Sequence, residues 1–172
     1  MFLDIFLLKS IQKVQLRGDV MKRIVCIVSA FVFAFTCPVL ADFYEALKKG
    51  DYETAFKEAK TLAEQGDVGA QYNLGVMFDK GQGVPQNNNE AFKWFKKAAE
   101  KGDAGAQYNL GRMYVKGENV PQNYVQAYMW YCLSAAQGEQ IALNKRDALA
   151  LKMTPEQVAG AQKLASEWKP KK

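Results

Sequence analysis

Residues 67–87 read DVGAQYNLGVMFDKGQGVPQN, and residues 103–123 read DAGAQYNLGRMYVKGENVPQN. Aligned with a shift of 36, the two stretches agree at 15 of 21 positions. The same shift carries Ala91, Trp94 and Ala99 onto Ala127, Trp130 and Ala135, and it marks one joint three times, at Gly66, Gly102 and Gly138. A fixed period in the range of roughly 20–50 residues is the mark of a stacked array, in which each unit buries its apolar face against its neighbours.

Each unit reads as two helices. Ala70, Leu74, Met77 and Phe78 fall at helical spacing, and Ala106, Leu110, Met113 and Tyr114 repeat them. Gly75 and Gly111 sit inside these helices, where glycine costs about 1 kcal/mol relative to alanine, so they are expected to be close contacts between paired helices. In the turn GQGVPQN, Gly81 can close a helix in the left-handed conformation and Pro85 cannot continue one. Asn87 and Glu90 have the spacing of an N-cap with its reciprocal partner. The second helix carries Ala91, Trp94, Phe95 and Ala98, with the copy Ala127, Trp130, Tyr131 and Ser134, and both tryptophans are expected in the core.

The ends of the array are irregular, as capping units are. FYEALKKGDYETAFKEAKTLAEQG reads as a helix pair with a shorter turn, and EQIALNKRDALALKM keeps helical periodicity without the AQYNLG spelling. A last helix opens on Thr154, Pro155 and Gln157, a capping box with proline in the first helical position, and presents Val158, Ala161, Ala165 and Trp168 as its apolar stripe. The expected fold is all-α, a superhelical array of about four antiparallel helix pairs. They comprise an N-terminal capping pair over 42–66, repeats over 67–102 and 103–138, a C-terminal capping pair over 139–169, and a basic tail over 170–172.

Upstream of the array, Met21-Lys22-Arg23 is followed by IVCIVSAFVFAF and CPVLA, the charged, apolar and small-residue regions of a secretory signal. Cleavage is expected between Ala41 and Asp42, and the apolar run is interrupted by Thr36 and Pro38 before it reaches the ~20 residues of a membrane span. Residues 1–20 ahead of this signal read as an over-extended start, with Met21 the initiator. An exported chain, periplasmic or secreted and free of the membrane after cleavage, follows as an expectation.

Without residues 1–41 the chain holds 18 of its 23 basic and 16 of its 18 acidic residues, so its net charge is 18 − 16 = +2 instead of +5. Lys169, Lys171 and Lys172 supply that surplus from the tail, so no clustered basic face points to nucleic acid. Cys26 and Cys37 precede the cleavage point, which leaves Cys132 and no internal disulfide. Cys132 lies mid-helix, away from the positive or helix-start setting that activates a thiol. The sequence contains no histidine, which excludes histidine-based nucleophilic catalysis and histidine-ligated metal. No carboxylate pair suggests acid–base work, and the glycine-rich turn lacks the lysine–serine or lysine–threonine pair of a phosphate loop.

With AQYNLG, the GQGVPQN turn and the Ala-x-x-Trp-Phe-x-x-Ala-Ala helix, residues 42–169 resemble the Sel-1-like repeat family, relatives of the tetratricopeptide repeats with a longer turn. The ending MTPEQVAGAQKLASEWKPK is similar to the closing helix of small exported bacterial members. The resemblance implies a right-handed superhelix whose concave side is lined by the first helix of each pair. It also implies a monomeric scaffold or adaptor that binds a protein or peptide, with no cofactor, no metal and no catalysis. By analogy with tetratricopeptide grooves, the groove positions are Tyr72, Val76, Asp79 and Lys80 in one unit and Tyr108, Arg112, Val115 and Lys116 in the next. Asn144, Ala148 and Lys152 follow in the last pair.

Two of the six differences between the copies, Val76/Arg112 and Asp79/Val115, fall on this set, as partner-reading positions would; drift at exposed positions is the competing reading. The unchanged Gln71, Gln107, Asn73 and Asn109 are expected to bond turns of adjacent helices, with a ladder for extended peptide backbone as the alternative. A secreted branch of the family with a cysteine pair in each repeat has been linked to β-lactam or cell-wall compounds. Here Phe78, Asp79 and Ala99 occupy the matching region without such pairs. A cell-wall (peptidoglycan or β-lactam) binding or hydrolysing protein is therefore the second reading, and an effector directed at a host protein the third.

Overall fold

The computed structural model describes residues 42–117 and 120–171. The expected signal and its cleavage residue Ala41 lie outside the described residues. The array belongs to the compact unit that covers 45–172. Among the described residues there are helices and no strand. Helix α1 covers 42–49. It is followed by α2 (Tyr52–Glu64), α3 (Val68–Lys80), α4 (Asn88–Glu100), α5 (Ala104–Lys116), α6 (Tyr124–Ala136), α7 (Gln140–Ala150) and α8 (Pro155–Glu167).

The duplicated spelling becomes duplicated local structure. Asp67 and Asp103 cap α3 and α5, their carboxylates accepting from the N–H groups of Ala70 and Ala106 at 2.7 Å. Gly81 and Gly117 end the same helices at φ 68° and 69°, left-handed conformations that glycine adopts without a Cβ penalty. The turn then folds back onto the helix it leaves. The Gln86 amide donates to the Asp79 carbonyl at 2.7 Å and the Asn87 N–H to that of Phe78 at 2.9 Å. The second copy repeats this from Gln122 to Val115 at 2.8 Å and from Asn123 to Tyr114 at 3.0 Å.

Asn87 caps α4 as expected, its Oδ1 accepting from Asn89 and Glu90 N–H groups. The reciprocal bond expected from Glu90 is absent. The Asn87 N–H is already used by Phe78, so the Glu90 carboxylate pairs with Lys93 at 2.6 Å instead. The capping box at Thr154 and Gln157 forms in full, with Pro155 in the first turn.

Packing runs in sequence order, α2 on α3, α3 on α4, α4 on α5 and α5 on α6. Phe95, Leu74 and Leu110 are fully buried, and alanines at 91, 98, 99 and 106 let the helices approach between the larger side chains. Gly75 and Gly111 are the close contacts the sequence suggests. A Cβ at Gly75 would stand 2.7 Å from the Phe95 ring, and one at Gly111 would stand 2.5 Å from the Tyr131 ring.

The last unit departs from this order, because α7 and α8 both take α6 as their main neighbour. Of the apolar stripe on α8, only Ala161 is fully buried; Val158, Ala165 and Trp168 are half-buried. Trp130 is buried at 7% exposure with the Trp168 ring against it, but Trp94, its copy, is only half-buried. The expectation that both tryptophans are core is corrected here: α4 has no neighbour equivalent to the end of α8.

Replacing Gly111 with alanine should destabilise the fold by roughly 1–3 kcal/mol, since the strain of overpacking outweighs the gain in helix propensity. The same change at Gly160, where a Cβ meets nothing within 4 Å, should instead stabilise it by about 0.5–1 kcal/mol. Urea melts of the two variants beside the parent protein measure both signs.

Candidate functional site

The first helices of successive units stand side by side, and the side chains spaced around their core stripes meet between them. Tyr72, Val76, Asp79 and Lys80 from α3 face Gly105, Tyr108 and Asn109 from α5 across a concavity of about 310 Å³. Glu139 and Ile141, at the start of α7, close its far end. Five of the sequence-derived groove positions therefore share one depression.

Two of its walls also hold the array together. The Tyr72 ring lies 6.0 Å from Phe95, and a Cβ at Gly105 would be 2.9 Å from the Tyr72 ring, so the small residue at 105 admits that ring between units. Tyr108 is stacked similarly, 5.9 Å from Tyr131. Burial raises the Tyr72 phenol above its ordinary range, with Asp103 and Glu139 adding to the effect.

Arg112 and Asp79 are joined across the units, Nη2 to Oδ2 at 2.7 Å. Their side chains are only 30% and 22% exposed, and Arg112 Nε is buried without a hydrogen-bond partner. Two of the positions where the copies differ have thus become one cross-unit contact. A second concavity of about 200 Å³ lies further along, where Val115 meets Tyr131, Lys145, Ala148, Leu149 and Lys152. Lys116 is exposed at the end of α5. Asn144 is exposed on α7, its Oδ1 accepting from Gln140 at 3.2 Å, and it lines neither concavity; its neighbour Lys145, also exposed, borders the second.

Sequence reasoning did not find Gly105, Glu139 and Ile141. The signal was available: shifting Gly69 by 36 gives Gly105 and again gives Ile141, so the entrance position itself changes from glycine to a large apolar residue. The invariant glutamines are architectural, as expected. Gln71 and Gln107 are buried, and their amides donate to the Ala63 and Ala99 carbonyls of the preceding helix at 3.1 and 3.3 Å. Asn109 bonds the Gly105 carbonyl of its own helix at 3.0 Å, not a turn of its neighbour.

At Cys132 the structure corrects one premise. Arg146 of α7 lies beside the thiol, so a positive group is present. Burial nevertheless pushes the thiol up, and Arg146 offsets only part of that shift. The Tyr131 phenol is pushed up to about 12, by burial first and by Tyr108 second, with Arg112 pulling the other way.

These helix pairs, stacked through a repeated glycine–aromatic contact with a mixed polar and apolar face between units, define a helical-repeat solenoid. Residues 68–103 and 104–139 each match the Sel1 repeat, so the chain carries two Sel1 repeats in succession. Two solved structures place the fold among its members. One is a protective antigen present in uropathogenic Escherichia coli strains and displaying an SLR fold, with 28% identity over 73% of this chain and a TM-score of 0.69. The other is a Sel1 repeat protein from Oxalobacter formigenes, with 33% identity over 74% of this chain and a TM-score of 0.61. The chain spans 28% of the length of the former and 54% of the latter. No curated protein matches it in sequence. Sel1 repeats generally mediate protein–protein interaction, which makes an interaction scaffold the class of function this fold supports.

A double-mutant cycle on Asp79→Val and Arg112→Val should give a coupling of about 0.5–1.5 kcal/mol in urea melts, since the pair is half-buried and hydrogen-bonded. The Tyr131 shift gives a second expectation. A phenol raised in the folded state contributes stability that is present below pH ~10 and is lost as pH rises toward 12. Thermal melts between those limits should show a steeper alkaline loss in the parent protein than in Tyr131→Phe.

Proposed function

We propose that this protein is an exported scaffold that binds a protein or peptide segment along the face formed by α3, α5 and α7, without catalysis. One observation carries the reading. Tyr72, Val76, Asp79, Lys80 and Tyr108, the groove positions that the resemblance to tetratricopeptide repeats implies, converge on one concavity that also holds hydrogen-bonding and apolar groups. An extended segment needs that mixture, with apolar contacts for affinity and a few polar groups to fix its register.

Arg112 lies outside the lining of this concavity but holds Asp79, one of its polar groups, in place through their ion pair. Both rings that line the concavity, Tyr72 and Tyr108, are held by packing from behind, so little side-chain freedom is lost when a partner settles on them. The export half of the proposal rests on the signal-like stretch from Met21 to Ala41, and it places the partner in the cell envelope or outside the cell.

A photo-crosslinking residue placed at Val76 should trap a partner from the envelope, whereas the same residue at Lys96, exposed on α4, should not. Arg112→Val and Tyr108→Ala should each reduce trapping from position 76 severalfold. Equal yields from positions 76 and 96, insensitive to both substitutions, would remove the groove assignment. N-terminal sequencing of the exported chain checks the other half, with Asp42 the expected first residue.

A further inference from the structure

Beyond α8 the chain becomes extended at Trp168, with φ −68° and ψ 140°. The Trp168 ring meets Trp130 edge to face at 6.3 Å, and Pro170 comes alongside Gly102. Lys171 then donates its N–H to the Glu100 carbonyl at 2.7 Å, and its ammonium reaches the Glu100 carboxylate at 2.9 Å. The tail thus bridges the two repeats, with one ring on Trp130 of the second and one backbone hydrogen bond and one ion pair on Glu100 at the end of the first. In the second repeat Gln107 has a partner at each end of its amide: Nε2 donates to the Ala99 carbonyl, and Oε1 accepts from Gln137 at 2.9 Å.

Moved back by 36, the residues Ala99, Glu100, Gln107 and Trp130 become Ala63, Glu64, Gln71 and Trp94, four identical residues. These four line a notch of about 370 Å³, with Lys97, Glu100, Lys101 and Lys171 at its edges. Gln71 is 4% exposed. Its Nε2 donates to the Ala63 carbonyl at 3.1 Å, which fixes the amide and turns Oε1 the other way, where it has no partner. Lys101 stands where Gln137 stands in the next repeat, but its ammonium goes to the Gly66 carbonyl at 2.8 Å and leaves Gln71 Oε1 unmet. Trp94 is half-buried, with Lys97 Nζ 3.9 Å from the centre of its ring. A buried acceptor without a donor is unfavourable, so this notch favours an occupant that brings an N–H.

We propose that the notch binds an extended segment of a partner protein that carries a tryptophan followed three residues later by a lysine, the pattern of Trp168 and Lys171. The segment's tryptophan packs edge to face on Trp94, as Trp168 does on Trp130. Its lysine N–H donates to the Glu64 carbonyl, one of the last carbonyls of α2, which have no partner within the helix. Its ammonium meets the Glu64 carboxylate, whose contact with Lys60 is long at 4.0 Å and 59% exposed. An N–H of the segment reaches Gln71 Oε1. The notch lies between α2, α3 and α4, apart from the concavity formed by α3 and α5, so either surface can fail without the other.

The test uses the chain's own ending as probe. A fluorescein-labelled peptide ASEWKPKK, the sequence of residues 165–172, is titrated with the full chain and followed by anisotropy. Saturable binding is expected, and the peptide with alanine for tryptophan should not bind. Trp94→Ala and Glu64→Lys should each weaken binding about tenfold or more. Lys97→Leu, which gives the notch the residue found at 133, should tighten it. A benzophenone in place of the peptide's tryptophan should crosslink to α2 and α4. No binding at roughly 1 mM, binding indifferent to Trp94→Ala and Glu64→Lys, or crosslinks confined to α6 would each overturn the proposal. The α6 outcome would mean exchange with the chain's own tail. Trp94, Glu64 and Lys97 are all at least partly exposed, and matching circular dichroism melts confirm that the variants fold.

Discussion

Everything in this molecule depends on how closely the two helices of a repeat approach. Phe95 and Tyr131 each rest against the backbone of the preceding helix at a position where any side chain would collide with the ring, and glycine is the residue at both. That contact sets the distance between the paired helices, and the fully buried alanines at 91, 98 and 99 then fill the remaining space without pushing them apart. Because interiors are close-packed, one contact fixed this tightly constrains its neighbours. The Asp caps, the left-handed glycines and the returning glutamines of the turns all serve a pair whose spacing is already decided.

From that spacing follows the division of labour between the faces. First helices stand beside first helices, with Tyr72 inserted over Gly105, and their outward positions form one continuous surface. Positions that pack must repeat, since each repeat buries the next; positions that face outward are released from that demand. The Asp79–Arg112 pair shows what such release permits. Two divergent positions on different units have joined into a contact that neither repeat could make alone.

How much could be read in advance depended on the range of the interaction. Helix caps, turn glycines and the glycine–aromatic contact are local or repeat with period, and the spelling displays them. Glu90 went astray because a tertiary bond, Asn87 to the Phe78 carbonyl, had taken the donor that a capping box needs. Asn144 follows from continuing a period into a unit that no longer keeps it, and on α7 it is the exposed Lys145 that borders the second concavity. Trp94 reads as core because, like Trp130, it stands at helical spacing between alanines. Its burial, however, depends on what lies outside the pair, and only α6 has Trp168 to cover it.

The sequence alone determined that the chain is a helical array with a period of 36, where the caps and turns of its repeats fall, and which small and aliphatic residues pack between the paired helices. It could do so because caps, turns and amphipathic stripes are written within a few residues of where they act. Only the tertiary structure decided which identical residues end up in different surroundings. Gln107 is satisfied by Gln137, whereas Gln71 keeps a buried carbonyl unpaired; Trp130 lies under the tail, whereas Trp94 borders an open notch. The physical reason is that a repeat specifies its own packing, but the group that completes each site comes from a neighbouring unit, and the neighbours of the two repeats differ.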